Sequence, residues 1–264
     1  MVYKNIVIHN KEDFESMRKA GQLAAEVLDF ITSYIRPGVS TNMLNDLCHE
    51  FIICAGAIPA PLGYRGYPKS ICTSKNYVVC HGIPDDELLK DGDILNVDVT
   101  VILNGWHGDT SRMYWVGEPS IKAKRLCEAT YNALLSAIQQ VKPGNKFNQI
   151  GLAIEGVIKK YGYSIVRDYC GHGLGRKFHA SPNIMHYYDA DNDCVMQEGM
   201  FFTIEPMINA GKYYTMLSQH DKWTVITRDF SLSAQFEHSL GVTEDGVEIF
   251  TSSPKGLDFP PYKL

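Results

Sequence analysis

No long hydrophobic run occurs in the 264 residues. The longest weakly polar stretch, Phe51 to Gly63, holds two prolines and is too short to span a membrane. The N-terminal segment MVYKNIVIHNKEDFE has no apolar signal core. A strong excess of one charge is also missing: 25 Lys and Arg stand against 30 Asp and Glu, a net charge of −5 that gives no reason to expect nucleic acid as a partner. The seven cysteines form no CxxC pair, and their odd number argues against a disulfide framework and fits a reducing cytoplasm. These absences leave a soluble, cytoplasmic protein, with the 45% hydrophobic and 21% charged content of an ordinary globular chain. Its length suits one large domain or two small ones, with a substantial core.

The stretch around which the chain is organised is DILNVDVTVILNGWHGDTSR, Asp93 to Arg112. Ile94 to Leu103 is rich in β-formers, Asn104-Gly105 is a favoured two-residue turn, and Trp106 begins a return strand. That turn pairs Leu103 with Trp106, Thr100 with Asp109 and Asp98 with Ser111. Alternation then puts Asp98 and Asp109 on one face as diagonal neighbours, roughly 7–8 Å apart at Cα. Carboxylates that close repel and raise one another's pKa, and cations between them would remove the cost. The bland alternative is a solvated face, which only further ligands can displace.

Residues 11–35 read as a helix, with Met17, Ala20, Leu23, Ala24, Val27, Leu28 and Ile31 at helical spacing and Pro37-Gly38 ending it. Ser40 or Thr41 can cap a second helix through about Ala55, with Leu44, Leu47, Phe51 and Ile52 on one stripe. After the loop APLGYRGYPKS come a short strand near Asn76 to Cys80 and the hairpin. Residues 120–141 and about Asn148 to Tyr161 read as two more helices, ended by Pro143-Gly144 and Gly162. Pro37, Gly38, Asn42, Ile52 and Gly56 recur 106 residues later as Pro143, Gly144, Asn148, Ile158 and Gly162. KDGDILNVDV and QEGMFFTIEP follow in equivalent places, so Asp98 matches Glu205 at an offset of 107. The doubling, roughly 11–117 and 120–252, suggests halves related by a pseudo-twofold axis, which can bring Asp98 and Glu205 face to face. Two unrelated helix–helix–strand units would look similar. Beyond Lys212, strands are expected at Trp223–Ile226, Ser233–Val242, with Gln235 and Glu237 on one face, and Gly246–Phe250. DFPPY is expected to be an extended tail.

Five ionisable residues sit on apolar strands or in Gly-rich turns: Asp98, Asp109, His172, Glu205 and Glu237. Lone carboxylates in GMFFTIEPM or AQFEHSL would be costly to bury. Four carboxylates and one imidazole favour Mn²⁺, Fe²⁺ or Co²⁺, with Zn²⁺ and Ni²⁺ also compatible. Bridging carboxylates would hold two such ions about 3.5–4 Å apart, and a bound hydroxide would be a nucleophile at neutral pH.

These residues lie within CHGIPDD (Cys80–Asp86), DGDILNVDVTV with HGDTSR (Asp91–Arg112), YCGHGLGRKFH (Tyr169–His179), FTIEPM (Phe202–Met207) and SLSAQFEHS (Ser231–Ser239). With these motifs the chain, from about residue 10 to 252, resembles the type I methionine aminopeptidases. The resemblance implies an α/β (α+β) pita-bread fold: two helices plus antiparallel strands, repeated about a pseudo-twofold axis around a central curved sheet, in one catalytic metallopeptidase domain over 1–264. It implies an aminopeptidase that removes the initiator methionine of nascent proteins when the second residue is small, through a metal-activated hydroxide.

Carried over residue by residue, Asp109 and Glu237 would bridge two divalent metal ions, Asp98 would chelate one, and His172 and Glu205 would bind the other. Glu205 would also be the general base. His81 would lie over the reacting amide, and His179 would donate to its carbonyl oxygen. Tyr64, Tyr67, Cys72, Phe178 and Trp223 would wall the methionine pocket, where rings and sulfur suit a thioether. Thr100 and Thr110 would support the carboxylates, and the carbonyls of Asn76, Val78 and Ser233 resemble a monovalent-cation site in some relatives. Pro61 stands where relatives often have cysteine, which alters one pocket wall. The implied partners are nascent-chain N-termini, with ribosome contact through the domain surface, for a monomer with no membrane and no direct nucleic-acid function.

The other residues have plainer expectations. Cys80 and Cys170 are small thiols beside the site histidines. His107, His186, His220 and His238 are surface or packing residues, and HYYDADNDCVMQ from His186 is a surface loop. Asp85-Asp86-Glu87 is a solvated turn. Competing functions are a proline-specific peptidase of the same fold, expected to carry an extra N-terminal domain, and a non-catalytic pita-bread binding module, expected to lose metal ligands. A di-metal phosphoesterase would want basic residues, for which Arg112 and Arg176 are the candidates.

Overall fold

The computed structural model describes residues 5–262; residues 1–4 and 263–264 of the expected domain lie outside the described residues. Helix α1 (Lys11–Ile31) starts at a capping box in which Asn10 Oδ1 accepts from Asp13 N–H and Asp13 accepts from Asn10 N–H. The last turn tightens to 3₁₀ over Thr32–Tyr34, so the α-helix stops short of residue 35. Helix α2 (Thr41–Cys54) is capped by Ser40 Oγ, which accepts from Met43 N–H. Strands β1 (Ile58–Pro59), β2 (Cys72–Lys75) and β3 (Val78–Cys80) precede the hairpin of β4 (Ile94–Leu103) and β5 (Trp106–Trp115).

Helices α3 (Ile121–Ile138) and α4 (Asn148–Tyr161) follow, then ten short strands: β6 (Ser164–Ile165), β7 (Gly171–Gly173), β8 (Ala180–Ile184), β9 (Phe201–Ile204), β10 (Met207–Asn209), β11 (Thr215–Leu217), β12 (Val225–Thr227), β13 (Ser233–Gln235), β14 (His238–Val242) and β15 (Val247–Ile249). The curved sheet consists of separate ladders: β1 and β2 flank β4, which also pairs β5; β13-β10-β6; β11-β12-β3; and β15-β14-β9-β7-β8. Every assigned pair is antiparallel.

The hairpin register is the expected one, with Leu103 opposite Trp106, Thr100 opposite Asp109 and Asp98 opposite Ser111. Asn104 and Gly105 both have positive φ, +52° and +82°, which a two-residue turn with the right twist requires. Alternation along β4 then does the positioning. Val97, Val99 and Val101 are buried in an apolar cluster with Leu28, Leu44 and Ile52 of α1 and α2, while Asp98 and Thr100 line a cavity on the other face. In the second half α3 and α4 cover an equivalent core around Leu126, Leu134, Ile154, Phe202 and Phe236. Each such fully buried side chain contributes roughly 1.5–3 kcal/mol, so the two cores hold the two carboxylate-bearing sheets rigidly. The order helix, helix, antiparallel strands thus occurs twice.

Three local expectations are corrected, and one strand is added. Helix α3 ends at Ile138 rather than 141, because Gln140 and Val141 N–H turn to the i−3 carbonyls of Ala137 and Ile138. Cys72–Lys75, unassigned in the sequence between the loop APLGYRGYPKS and the strand near Asn76, forms β2 along the hairpin edge. Ser233–Val242 is two strands, because Phe236 and Glu237 leave the ladder between them. DFPPY is no tail: Phe259 packs between Tyr131 and Phe236, and Tyr262 Oη donates to Met113 O (2.8 Å). Ser253 Oγ anchors the same segment, donating to Asp29 of α1, which is also paired with buried Arg112. Among the described residues, no helix is long and apolar enough to cross a membrane.

Candidate active site

The two sheets meet at the break in the last long strand. Glu237 N–H donates to Ser111 O (3.1 Å), an isolated bridge rather than a continuous ladder. Two hydroxyls supply the missing connections. Ser239 Oγ donates to Asp109 O (2.6 Å) and accepts from Asp109 N–H (3.2 Å). Thr110 Oγ1 donates to Glu237 O (2.7 Å). The interruption frees Glu237 from sheet pairing and sends its carboxylate to Asp109.

One ligand atom each of Asp109, His172 and Glu237 lies within 4.8 Å of the others. His172 is held on β7 between Gly171 and Gly173. A Cβ on either glycine would come within 2.4 Å of a carbonyl oxygen, of Thr203 or Ser181 respectively, so only glycine lets the flanking strands close on the imidazole. His172 Nδ1 faces Gly173 O at 3.1 Å, and a carbonyl only accepts, so Nδ1 carries the proton. Burial lowers the His172 pKa to about 4 and keeps the ring neutral. The lone pair of Nε2 therefore points at Asp109 Oδ2 (3.5 Å) and Glu205 Oε1 (3.7 Å). An imidazole lone pair aimed at two carboxylates is repulsive unless a proton or a metal cation stands between them.

The four carboxylates share that problem. Burial, and then the neighbouring Asp109 charge, pushes Asp98, Glu205 and Glu237 well above the usual carboxylate range. Asp109 is raised to about 7 by burial, opposed by its hydrogen bond from Thr100 Oγ1 (2.7 Å). No Lys or Arg pairs with any of them in the described residues. A donor set of oxygens and one neutral imidazole, buried without a counter-charge, fits divalent cations and little else.

His81, His179, Tyr64, Tyr67, Cys72, Phe178 and Trp223 line the same cavity, about 370 Å³ in volume. His81 stands at φ +56°, a left-handed conformation that side chains other than Gly and Asn rarely adopt, and its ring lies edge-on to Tyr169 and Trp223. His179 Nδ1 is bonded to Tyr64 Oη (2.9 Å), and burial followed by the neighbouring His172 lowers its pKa to about 3. Phe178 packs on Tyr64 and on His107. Tyr67 lies edge-on to Trp223, with its hydroxyl donating to Ile71 O and Gly82 O, so its ring presents an apolar face. Cys72, Cys80, Cys170 and Pro61 complete the walls, and all seven cysteines are free thiols.

Several residues around Glu205 were not expected in the site. His186, expected on the surface, is fully buried, and its Nε2 accepts from Glu205 N–H (3.1 Å). Thr203 Oγ1 donates to Glu205 Oε1 (2.8 Å), and Gln235 Nε2 donates to Glu205 Oε2 (3.2 Å). Gln235 was placed beside Glu237 by alternation alone; its contact with Glu205 comes from the second sheet. The Thr203–Glu205 spacing of two on one strand was readable as a shared face. His238 faces away from the cavity, towards Thr251 Oγ1 (2.9 Å), as strand alternation requires.

The model of metallopeptidase family M24 matches residues 15–244. The methionine aminopeptidase of Rickettsia prowazekii is 62% identical over 257 residues, covering 97% of this chain and 99% of that one. That of Escherichia coli (strain K12) is 54% identical over 248 residues, covering 93% and 94%. The crystal structure of the Rickettsia prowazekii enzyme superimposes with a TM-score of 0.92 at 62% identity, over 94% of this chain and 100% of that one. The sheets, the doubled helices and the buried carboxylates therefore have one explanation: the chain belongs to metallopeptidase family M24 and, within it, to the methionine aminopeptidases.

Proposed function

We propose that this chain removes the initiator methionine from nascent proteins whose second residue is small. The observation that carries the reading is the neutral His172 Nε2 aimed at Asp109 and Glu205 at the floor of a cavity walled by aromatic rings and thiols. Asp109 and Glu237 would bridge two divalent ions, Asp98 would complete one site, and His172 and Glu205 the other. Mn²⁺, Fe²⁺ or Co²⁺ suit these donors, with Zn²⁺ and Ni²⁺ next, and bound there they polarise a carbonyl and acidify water.

The chain's own groups do the rest. Glu205, with Thr203 and Gln235 each donating to one carboxylate oxygen, takes a proton from the attacking water and returns it to the leaving amine. His81 lies over the reacting amide. With Tyr64 Oη donating to its Nδ1, His179 would carry its proton on Nε2 and give it to the scissile carbonyl oxygen as charge builds. Tyr64, Tyr67, Cys72, Phe178 and Trp223 would enclose the methionine side chain, with Pro61 as a rigid part of the wall. Both halves, roughly 11–117 and 120–252, contribute ligands, which favours one catalytic domain acting as a monomer. Ser233 N–H donates to Asn76 O (2.8 Å), which brings these two backbone segments side by side, and the carbonyls of Asn76, Val78 and Ser233 would hold a monovalent cation. Free thiols fit a cytoplasmic site of action, where nascent-chain N-termini and the ribosome are the partners.

The defining assay is peptide cleavage under reducing, anaerobic conditions with added Mn²⁺, Fe²⁺ or Co²⁺. Met-Gly-Met-Met is expected to be cleaved and Met-Leu-Met-Met and Gly-Pro-Ala left intact, with EDTA abolishing the reaction. Cleavage only before proline would move the chain to the proline-specific branch; no cleavage despite metal binding would favour a binding module. A subtler consequence concerns Ser239. Ser239→Ala removes both bonds to the Asp109 backbone and is expected to weaken divalent-metal affinity about 10- to 100-fold, read by titration calorimetry. Unchanged affinity would show that Asp109 is held in place without it.

A further inference from the structure

The loop that carries Tyr64 and Tyr67 also carries Arg65, in the run Gly63-Tyr64-Arg65-Gly66. Arg65 is exposed, and it is the one Lys or Arg among the residues lining the cavity. Its guanidinium carbon lies 5.3 Å from the centre of the Tyr64 ring, a cation–π contact. The hydroxyl of that ring is bonded to His179. Its backbone is left-handed, φ +48° and ψ +27°, a conformation that a side chain with a Cβ ordinarily avoids. Among the described residues no carboxylate pairs with Arg65. A surface arginine is ordinarily a mobile, solvated charge. This one is held at the cavity rim by its backbone turn and by the ring beneath it, with all five N–H donors unclaimed among the described residues. The other exposed charge of the lining, Asp168, accepts from Thr215 Oγ1 (2.6 Å).

A peptide whose first residue fills the cavity floor must leave past this rim. We propose that Arg65 is a specificity-determining residue that reads charge beyond the second residue of the substrate, favouring an acidic over a basic side chain at the third. This rests on the aminopeptidase reading above. Among the described residues Arg65 is bonded to none of the proposed metal ligands, and the third residue lies beyond the reacting amide, so the Arg65 charge would act alike on bound substrate and transition state. The preference therefore falls in KM, with kcat little changed.

The test compares Met-Ala-Glu-Ser, Met-Ala-Lys-Ser and Met-Ala-Ser-Ser, all as C-terminal amides, because a free carboxylate would supply the same charge. For the metal-loaded wild type at low salt, kcat/KM is expected to be about three- to tenfold higher for the Glu than for the Lys peptide, and the ratio to collapse towards one in 0.5 M salt. R65K is expected to keep the ratio, R65Q to bring it near one and R65E to invert it. Because the ratio is taken within each variant, a general loss of rate or of folded protein cancels. Equal ratios in wild type and R65E would overturn the role of Arg65 alone. Failure of the wild type to cleave even the Ser peptide would overturn the aminopeptidase reading beneath it.

Discussion

Replacing Asp109 with asparagine is expected to remove activity while leaving the fold intact. Asn keeps the size of the side chain and can still accept from Thr100 Oγ1, so the hairpin and its turn are not disturbed. What it loses is the second anionic oxygen, the one aimed at His172 Nε2. If Asp109 bridges two ions, both sites fail together. A Lewis-acid contribution of several kcal/mol, at 1.36 kcal/mol per decade, corresponds to roughly 10³-fold or more in kcat/KM. The measurement is peptide cleavage with saturating metal, beside circular dichroism to verify the fold. Full activity in the metal-supplemented variant would sink the bridging assignment.

The second expected result concerns the protein stripped of metal. With EDTA present, turnover ceases and stability is expected to fall as the pH rises. The unfolded chain loses these protons near pH 4, whereas burial keeps the Asp109 proton in the folded chain up to about 7, and holds Asp98, Glu205 and Glu237 well above their ordinary values. The stabilising difference is therefore fully present below the unfolded values and is lost as the pH climbs through the folded ones. Each such proton costs on the order of 1.4 kcal/mol per pH unit across that window. Thermal melts of metal-free protein at pH 5 and pH 8 should differ by several degrees, lower at pH 8. Added Mn²⁺ should reverse the trend, because metal binding requires deprotonated carboxylates and stabilises the folded state in proportion to ln[metal]. A metal-free protein as stable at pH 8 as at pH 5 would mean that the carboxylates are not crowded as the geometry indicates.

Both results follow from residues visible to different degrees in the sequence. Asp98 and Asp109 were legible as a pair because a two-residue Asn-Gly turn sets hairpin register through local forces, and register sets faces. The apolar stripes of α1 and α2 and the Gly162 stop of α4 were legible for the same reason: helix period and chain reversal act within a few residues. The repeat pointed to Glu205 as the counterpart of Asp98. His172 in its Gly-rich turn and Glu237 among apolar neighbours were legible as candidate ligands, but their places on particular ions came only through resemblance, since neither spacing nor pattern says that residues 98, 109, 172, 205 and 237 share one cavity.

Tertiary structure decided what long-range closure alone can decide. That Glu237 lies in a gap between β13 and β14 depends on Ser239, and on Thr110 of the hairpin, tying this segment to a hairpin more than 120 residues away in sequence. That His186 is buried under Glu205, and that DFPPY packs onto α3, follows from which surfaces remain uncovered once the two cores form. By itself the sequence determined the helices, the central hairpin and the kind of donor atoms, because these depend on local backbone preference and side-chain chemistry. The convergence of those donors, the tautomer of His172 and the seat of Arg65 belong to the folded chain, where burial and packing, not adjacency, choose each group's neighbours.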